Sequence, residues 1–177
     1  MFAETITTER LLLRPPRLED ATEIFSRYAS DPAVTRNLSW PTHTSSADTR
    51  RFLQLGEQMR VDGSLINWAI CSRDDGRLHG MISVRPDFPR VEVGYVLAQD
   101  RWGHGLMTEA LQAVVAEVRK HAAVWRIQAH CATDNAASAR VLEKAGFELE
   151  GVARRYFVLP NRGPEPVDAK LYAMIVR

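Results

Sequence analysis

The chain has 177 residues, 45% hydrophobic and 25% charged, with a formal net charge of +1. This is ordinary globular composition and suits one domain, residues 1–177, with a sizeable core. Basic residues are scattered rather than massed, apolar runs fall far short of a bilayer, and the chain does not open with the charged-then-apolar pattern of a signal peptide. The expectation is a cytoplasmic protein that binds neither nucleic acid directly nor membrane. Cys71 and Cys131 each lie inside an apolar run, which favours buried free thiols over a disulfide. The five histidines show no metal-ligand spacing, and no metal is expected.

In chain order, Ile6 to Arg14 (ITTERLLLR) reads as a first strand stopped by Pro15-Pro16. Leu18 to Tyr28 has an acidic first turn and helical apolar spacing, so it reads as a helix that Asp31-Pro32 breaks. Ser45 or Ser46 can cap a second helix to about Arg60, with Phe52, Leu53 and Met59 as core candidates. From Leu65 the period becomes that of strands. Leu65 to Ser72 and Leu78 to Arg85 flank a hairpin turn at Arg73–Gly76, and Val91 to Ala98 follows after Pro86 and Pro89. A loop then leads into a helix from Leu106 to about Arg119, whose Leu106, Ala110, Leu111, Val114, Val115 and Val118 fall on one face. Trp125 to Ala132 is a strand, and Asn135 to Ala145 a helix closed by Gly146. Strands around Phe147 to Leu159 and Val167 to Val176 end the chain, separated by NRGPEP.

The loop DRWGHGLMTEAL, from Asp100 to Leu111, places Gly103 and Gly105 one residue apart just before a helix. Two glycines in one turn answer a geometric demand: a tight turn, or something that must come close to the backbone. A strand-to-helix loop of this kind presents free N–H groups to an anion, with the helix dipole adding positive character. The nucleotide P-loop needs a lysine that does not follow Gly105, and the dinucleotide fingerprint needs a third glycine where Thr108 stands. A pyrophosphate loop of the acetyltransferase kind and a ligand-free tight turn remain.

The motif has company. TERLLLRP from Thr8 to Pro15, VEVGYVL from Val91, WGHGLMTEAL from Trp102, and Asn135 with Ser138 ahead of Gly146-Phe147 occur in order. Together they resemble the GCN5-related N-acetyltransferase superfamily over nearly the whole chain, and within it the branch of ribosomal-protein N-terminal (alanine or serine) acetyltransferases. The resemblance implies an α/β (α+β mixed) fold: a mostly antiparallel sheet of six or seven strands flanked by helices and splayed between the fourth and fifth. It implies an enzyme that transfers an acetyl group from acetyl-CoA to a primary amine by direct attack. The family loop [RQ]-x-x-G-x-[GA] falls on Trp102, Gly103, His104, Gly105, Leu106 and Met107, with Thr108 next. Trp102 and Met107 depart from it, and Met107 threatens to narrow the pyrophosphate seat. The pantetheine arm is expected against the backbone of Val96, Leu97 and Ala98, with a backbone N–H near Leu97 stabilising the oxyanion.

Glu92 stands in an apolar strand on the face of Gly94 and Val96; it is either a solvent-facing or salt-bridged carboxylate or, as the resemblance implies, the general base, direct or through water. Asn135 is both a helix cap and, by resemblance, a ligand of the pantetheine arm. Many relatives carry a tyrosine, the acid for the leaving thiolate, where this chain has Leu142. Ser138 is then the best donor to sulfur, with Tyr156 and Tyr172 as outside candidates. A non-catalytic acyl-CoA-binding domain on the same fold stays open, as do the oligomeric state (monomer or homodimer) and the acceptor. A protein N-terminus, a peptide or an amino acid is preferred over a polyamine or an amino sugar.

Overall fold

A computed structural model describes residues 2–177. Eight strands form one sheet in the order β1-β2-β3-β4-β5-β6-β8-β7. They are β1 (Ile6–Thr7), β2 (Leu11–Arg14), β3 (Ile66–Ser72), β4 (Leu78–Asp87), β5 (Arg90–Leu97), β6 (Arg126–Ala132), β7 (Glu148–Val158) and β8 (Pro166–Ile175). Every neighbouring pair is antiparallel except β5 and β6. The eighth strand arises because the segment 6–14, expected as one strand, folds on itself. Thr8 turns the chain there: its amide donates to the Leu11 carbonyl and its hydroxyl accepts from the Leu11 amide at 2.9 Å.

The helices are α1 (Ala21–Ile24), α2 (Pro32–Thr35), α3 (Ser46–Val61), α4 (Leu106–Val118) and α5 (Ala136–Lys144). The expected helix over 18–28 is a composite of 3-10, α and π turns running to Ala29. Asp31-Pro32 does more than break it. Asp31 accepts from the Ala33 amide and Pro32 occupies the first turn, so the pair starts α2. Ser45 caps α3 by accepting from the Asp48 amide.

Alternation along β5 divides the molecule into two layers. Val91, Val93 and Leu97 belong to the larger core, with α4 and α5; Val96 and Ala98 join the smaller one, with α1 and α3. All six residues expected on the apolar face of α4 are buried, as is Met107. Each such leucine or valine contributes on the order of 1.5–3 kcal/mol. Cys71 and Cys131 are free and buried. No described helix is long and apolar enough to cross a membrane.

The feature that makes a site is the parting of β5 and β6. They pair only at Arg90↔Arg126, Val91↔Ile127 and Glu92↔Gln128. Beyond Glu92, β5 keeps its register with β4 up to Leu97, while β6 turns to β8. A wedge opens between the fourth and fifth strands of the expected sheet, which are the fifth and sixth of the observed one.

Candidate active site

A cavity of about 690 Å³ occupies this wedge. Its lining draws on both faces of the sheet: Tyr95, Leu106 and Cys131 from the α4–α5 side, and Ser83, Arg85, Glu92, Gly94 and His130 from the α3 side. The cavity therefore runs through the sheet.

At one end lies the loop that carries the two glycines. Gly103 (φ +79°) and Gly105 (φ +76°) both sit in the left-handed region, so both need glycine for their backbone shape. A side chain at Gly103 would meet nothing within 4 Å, and at Gly105 only the Arg10 guanidinium at 3.7 Å. Neither glycine is thus explained by crowding from the protein itself. Gly105 caps α4 without any side-chain oxygen, and among the described residues the amides of Gly103, His104, Gly105, Leu106, Met107 and Thr108 find no partner. Unpartnered amides at the positive end of a helix fit a pyrophosphate. Met107 is buried in the larger core and also lines the cavity. The His104 side chain is exposed, and its carbonyl accepts from Arg10 Nη1 at 3.0 Å.

Arg10 belongs to the TER segment whose purpose the sequence left unexplained. Glu109, in the first turn of α4, accepts from Thr8 Oγ1 (2.6 Å), the Arg10 amide (2.9 Å) and Arg10 Nε (2.6 Å). Burial raises the Glu109 carboxyl, but these hydrogen bonds outweigh it and hold the group below the usual carboxylate range. The β1–β2 turn thus clamps the glycine loop and brings a guanidinium beside Gly105.

Along β5 the backbone alternates. The Ala98 amide donates to His79 of β4 at 2.8 Å, so Ala98 and, two residues back, Val96 turn their polar groups to β4. Leu97 and Tyr95 turn theirs to the gap left by β6. The Leu97 carbonyl accepts from the Trp102 indole at 2.8 Å, and its amide faces the wedge. Of the three residues expected to line the pantetheine arm, Leu97 is the one with a backbone donor available.

Across the wedge, Asn135 caps α5: its Oδ1 accepts from the Ser138 amide at 3.2 Å, and its Nδ2 has no partner among the described residues. Cap and ligand are compatible, since they use different atoms. Ser138 Oγ lies 2.8 Å from the Tyr95 hydroxyl. Burial pushes the Cys131 thiol up and the Tyr95 phenol far up. The two candidate tyrosines of the last strands are placed elsewhere. Tyr172 is buried, donates to Glu143 Oε1 at 2.9 Å, and is pushed up to about 12, chiefly by burial. Tyr156 is exposed on β7 and packs edge-on against His130. Leu142 is part of the larger core.

At the opposite end, Glu92 is half-buried, with His130 Nδ1 at 3.7 Å and Gln128 Nε2 at 3.5 Å from its Oε2. Arg85 stands opposite Glu92 in the register of β4 and also lines the cavity. His130, Arg85, Arg10 and the Tyr95 hydroxyl were not singled out from the sequence; the alternation of Gln128 and His130 along β6 was the only signal for the first. The wall beside them is pinned by Asn161, which accepts from the Thr42 amide (2.8 Å) and donates to the carbonyls of Thr35 and Trp40. No group of three or more His, Cys, Asp or Glu side chains among the described residues is arranged to hold a metal ion.

Residues 10–148 match the family model of the acetyltransferase (GNAT) domain. The ribosomal-protein-serine acetyltransferase of Escherichia coli (strain K12) is 30% identical over 147 residues, covering 81% of this chain and 79% of its own. An acetyltransferase of the same family from Bacillus anthracis superposes with a TM-score of 0.84 at 28% identity, covering 97% of this chain and 98% of that one. RimL, described as a ribosomal L7/L12 alpha-N-protein acetyltransferase in complex with coenzyme A, does so with a TM-score of 0.86 at 25% identity and the same coverage. The chain belongs to the acetyltransferase (GNAT) family, whose acetyl donor is acetyl-CoA, and it is an N-acetyltransferase.

Proposed function

We propose that this enzyme transfers an acetyl group from acetyl-CoA to the α-amino group of a protein, peptide or amino acid. The observation that carries the reading is one cavity reaching from Glu92 on one face of the sheet to Ser138 on the other, with the Gly103–Gly105 loop at its cofactor end. The amides from Gly103 to Thr108 take the pyrophosphate, and the Asn135 amide and the Leu97 backbone align the pantetheine arm. Glu92, directly or through a water, takes the proton that the attacking amine loses as the C–N bond forms. The Leu97 N–H donates to the thioester oxygen as negative charge builds on it. Ser138 donates to the sulfur as the C–S bond breaks, steadying a thiolate that water finally protonates. The acetylated amine and coenzyme A leave.

The modest equipment favours a weakly basic acceptor. A lysine-type amine has a reference pKa of about 10.4, so roughly one molecule in two thousand is neutral at pH 7, whereas an α-amine at about 7.7–8.0 is already about a tenth neutral. One half-buried carboxylate serves the α-amine better. The names of two relatives agree: the serine acetyltransferase above, and the [ribosomal protein uS5]-alanine N-acetyltransferase of the same organism, 26% identical over 166 residues. The test compares kcat/KM for free-N-terminal peptides with that for spermidine-like amines at matched pH. Peptides should win; a clear preference for the polyamines would defeat the reading.

A further inference from the structure

We infer that Tyr95 is a positioning residue for thiolate departure: it aims the Ser138 hydroxyl at the leaving sulfur. The inference rests on the role proposed for Ser138. Tyr95 lies on the face of β5 otherwise occupied by Val91, Val93 and Leu97, where a phenol has no packing advantage over phenylalanine and its hydroxyl is costly unless paired. Among the described residues its hydroxyl has two hydrogen-bonding partners, both on Ser138: Oγ at 2.8 Å and the carbonyl at 3.3 Å. At 2.8 Å either oxygen could donate. The proposed role takes the phenol as donor to a lone pair of Ser138 Oγ, which leaves the serine proton for the leaving sulfur; in the reverse arrangement Ser138 donates to the phenol, the phenol donates to the Ser138 carbonyl at 3.3 Å, and no serine proton is left for the thiolate.

Burial pushes the phenol up, so Tyr95 keeps a proton to donate. The Ser138 amide is held by Asn135, and the side chain by Tyr95, so both ends of the residue are fixed. An unheld serine at a cleft samples three staggered positions, only one of which points at a given atom. A hydroxyl that accepts one hydrogen bond also donates a stronger one. Tyr95 thus supplies orientation and polarisation through Ser138.

A double-mutant cycle tests it. The single-turnover rate constant is measured with saturating acetyl-CoA and whichever amine is acetylated fastest, for the native enzyme, Tyr95→Phe, Ser138→Ala and the double variant. Thermal melts and coenzyme A affinity serve as controls. Tyr95→Phe should slow transfer by about three- to tenfold, the size of one hydrogen bond, with coenzyme A affinity unchanged. In the Ser138→Ala background the same substitution should have almost no effect. Equal losses in both backgrounds, or none in the native one, would overturn the inference. If Ser138→Ala itself transfers at the native rate, the role of Ser138 fails first, and that outcome is distinguishable from the others.

Discussion

Substituting Gly105 separates a turn from a ligand seat. Its φ of +76° is a conformation that costs an L-residue about 1–2 kcal/mol. For a chain of this size that lowers Tm by about 2–8 °C. A Cβ added there meets only the Arg10 guanidinium, at 3.7 Å, so Gly105→Val should still fold. Coenzyme A at a hundredfold excess over its Kd should stabilise the native protein by about 2.7 kcal/mol, raising Tm by about 5–11 °C. If the valine distorts the amide array and weakens affinity about a hundredfold, the same concentration supplies only about 0.4 kcal/mol. Gly76 is the control: its φ is +71°, it lies in the β3–β4 turn, and nothing is within 4 Å of an added side chain. Gly76→Val should lose comparable apo stability and keep the whole ligand shift. Differential scanning fluorimetry of the three proteins with and without coenzyme A is sufficient. Equal shifts in all three would mean that the glycines serve only the turn.

Glu92→Gln should lose activity most severely at low pH, where the acceptor is protonated and needs a base, and recover partly as pH rises; a loss independent of pH would remove Glu92 from proton transfer. Arg10→Ala should weaken coenzyme A binding by up to about tenfold, roughly 1.4 kcal/mol, more at low salt than at high; isothermal titration at two ionic strengths reads this, and unchanged affinity would make the clamp purely structural. Asp20 bonds to Arg14 Nη1 and Nη2, both at 2.8 Å, and to the Arg17 amide at 2.7 Å; burial raises its carboxyl, but these partners together hold it below its ordinary value. Its contribution is therefore fully present above the unfolded pKa of about 3.9 and is lost as pH falls through the lower folded value. Asp20→Asn should destabilise the protein at pH 7 by up to about 3 kcal/mol, a deficit that narrows in acid denaturation below about pH 4; a deficit constant to lower pH would refute the linkage.

Much of this was legible because it is written in local patterns. The alternation from Val91 to Leu97 separated the face of Glu92 from the face of the core, and the paired glycines announced a tight turn or a close approach to the backbone before α4. Periodicity does not say what crosses from elsewhere in the chain. The alternation sets Tyr95 on the face of Val91, Val93 and Leu97 but holds no trace of Ser138, 43 positions away and supplied by a helix packed on the same face. The grip of Thr8 and Arg10 on Glu109 was hidden for the same reason, about a hundred residues apart. The segment 6–14 misled because its apolar pattern suits one strand, while Thr8 satisfies its own neighbour's backbone and bends the chain. Asp31-Pro32 was read as a stop, although an acidic cap followed by proline starts a helix as readily as it ends one.

The central claim is transfer to an α-amine within the wedge between β5 and β6. The most direct measurement uses one peptide bearing both a free N-terminus and a lysine, incubated with acetyl-CoA and the enzyme, with the acetyl group located by fragmentation mass spectrometry. The account predicts a single acetyl group on the α-nitrogen, and none there with Glu92→Gln at low pH. Acetylation confined to the lysine would contradict it.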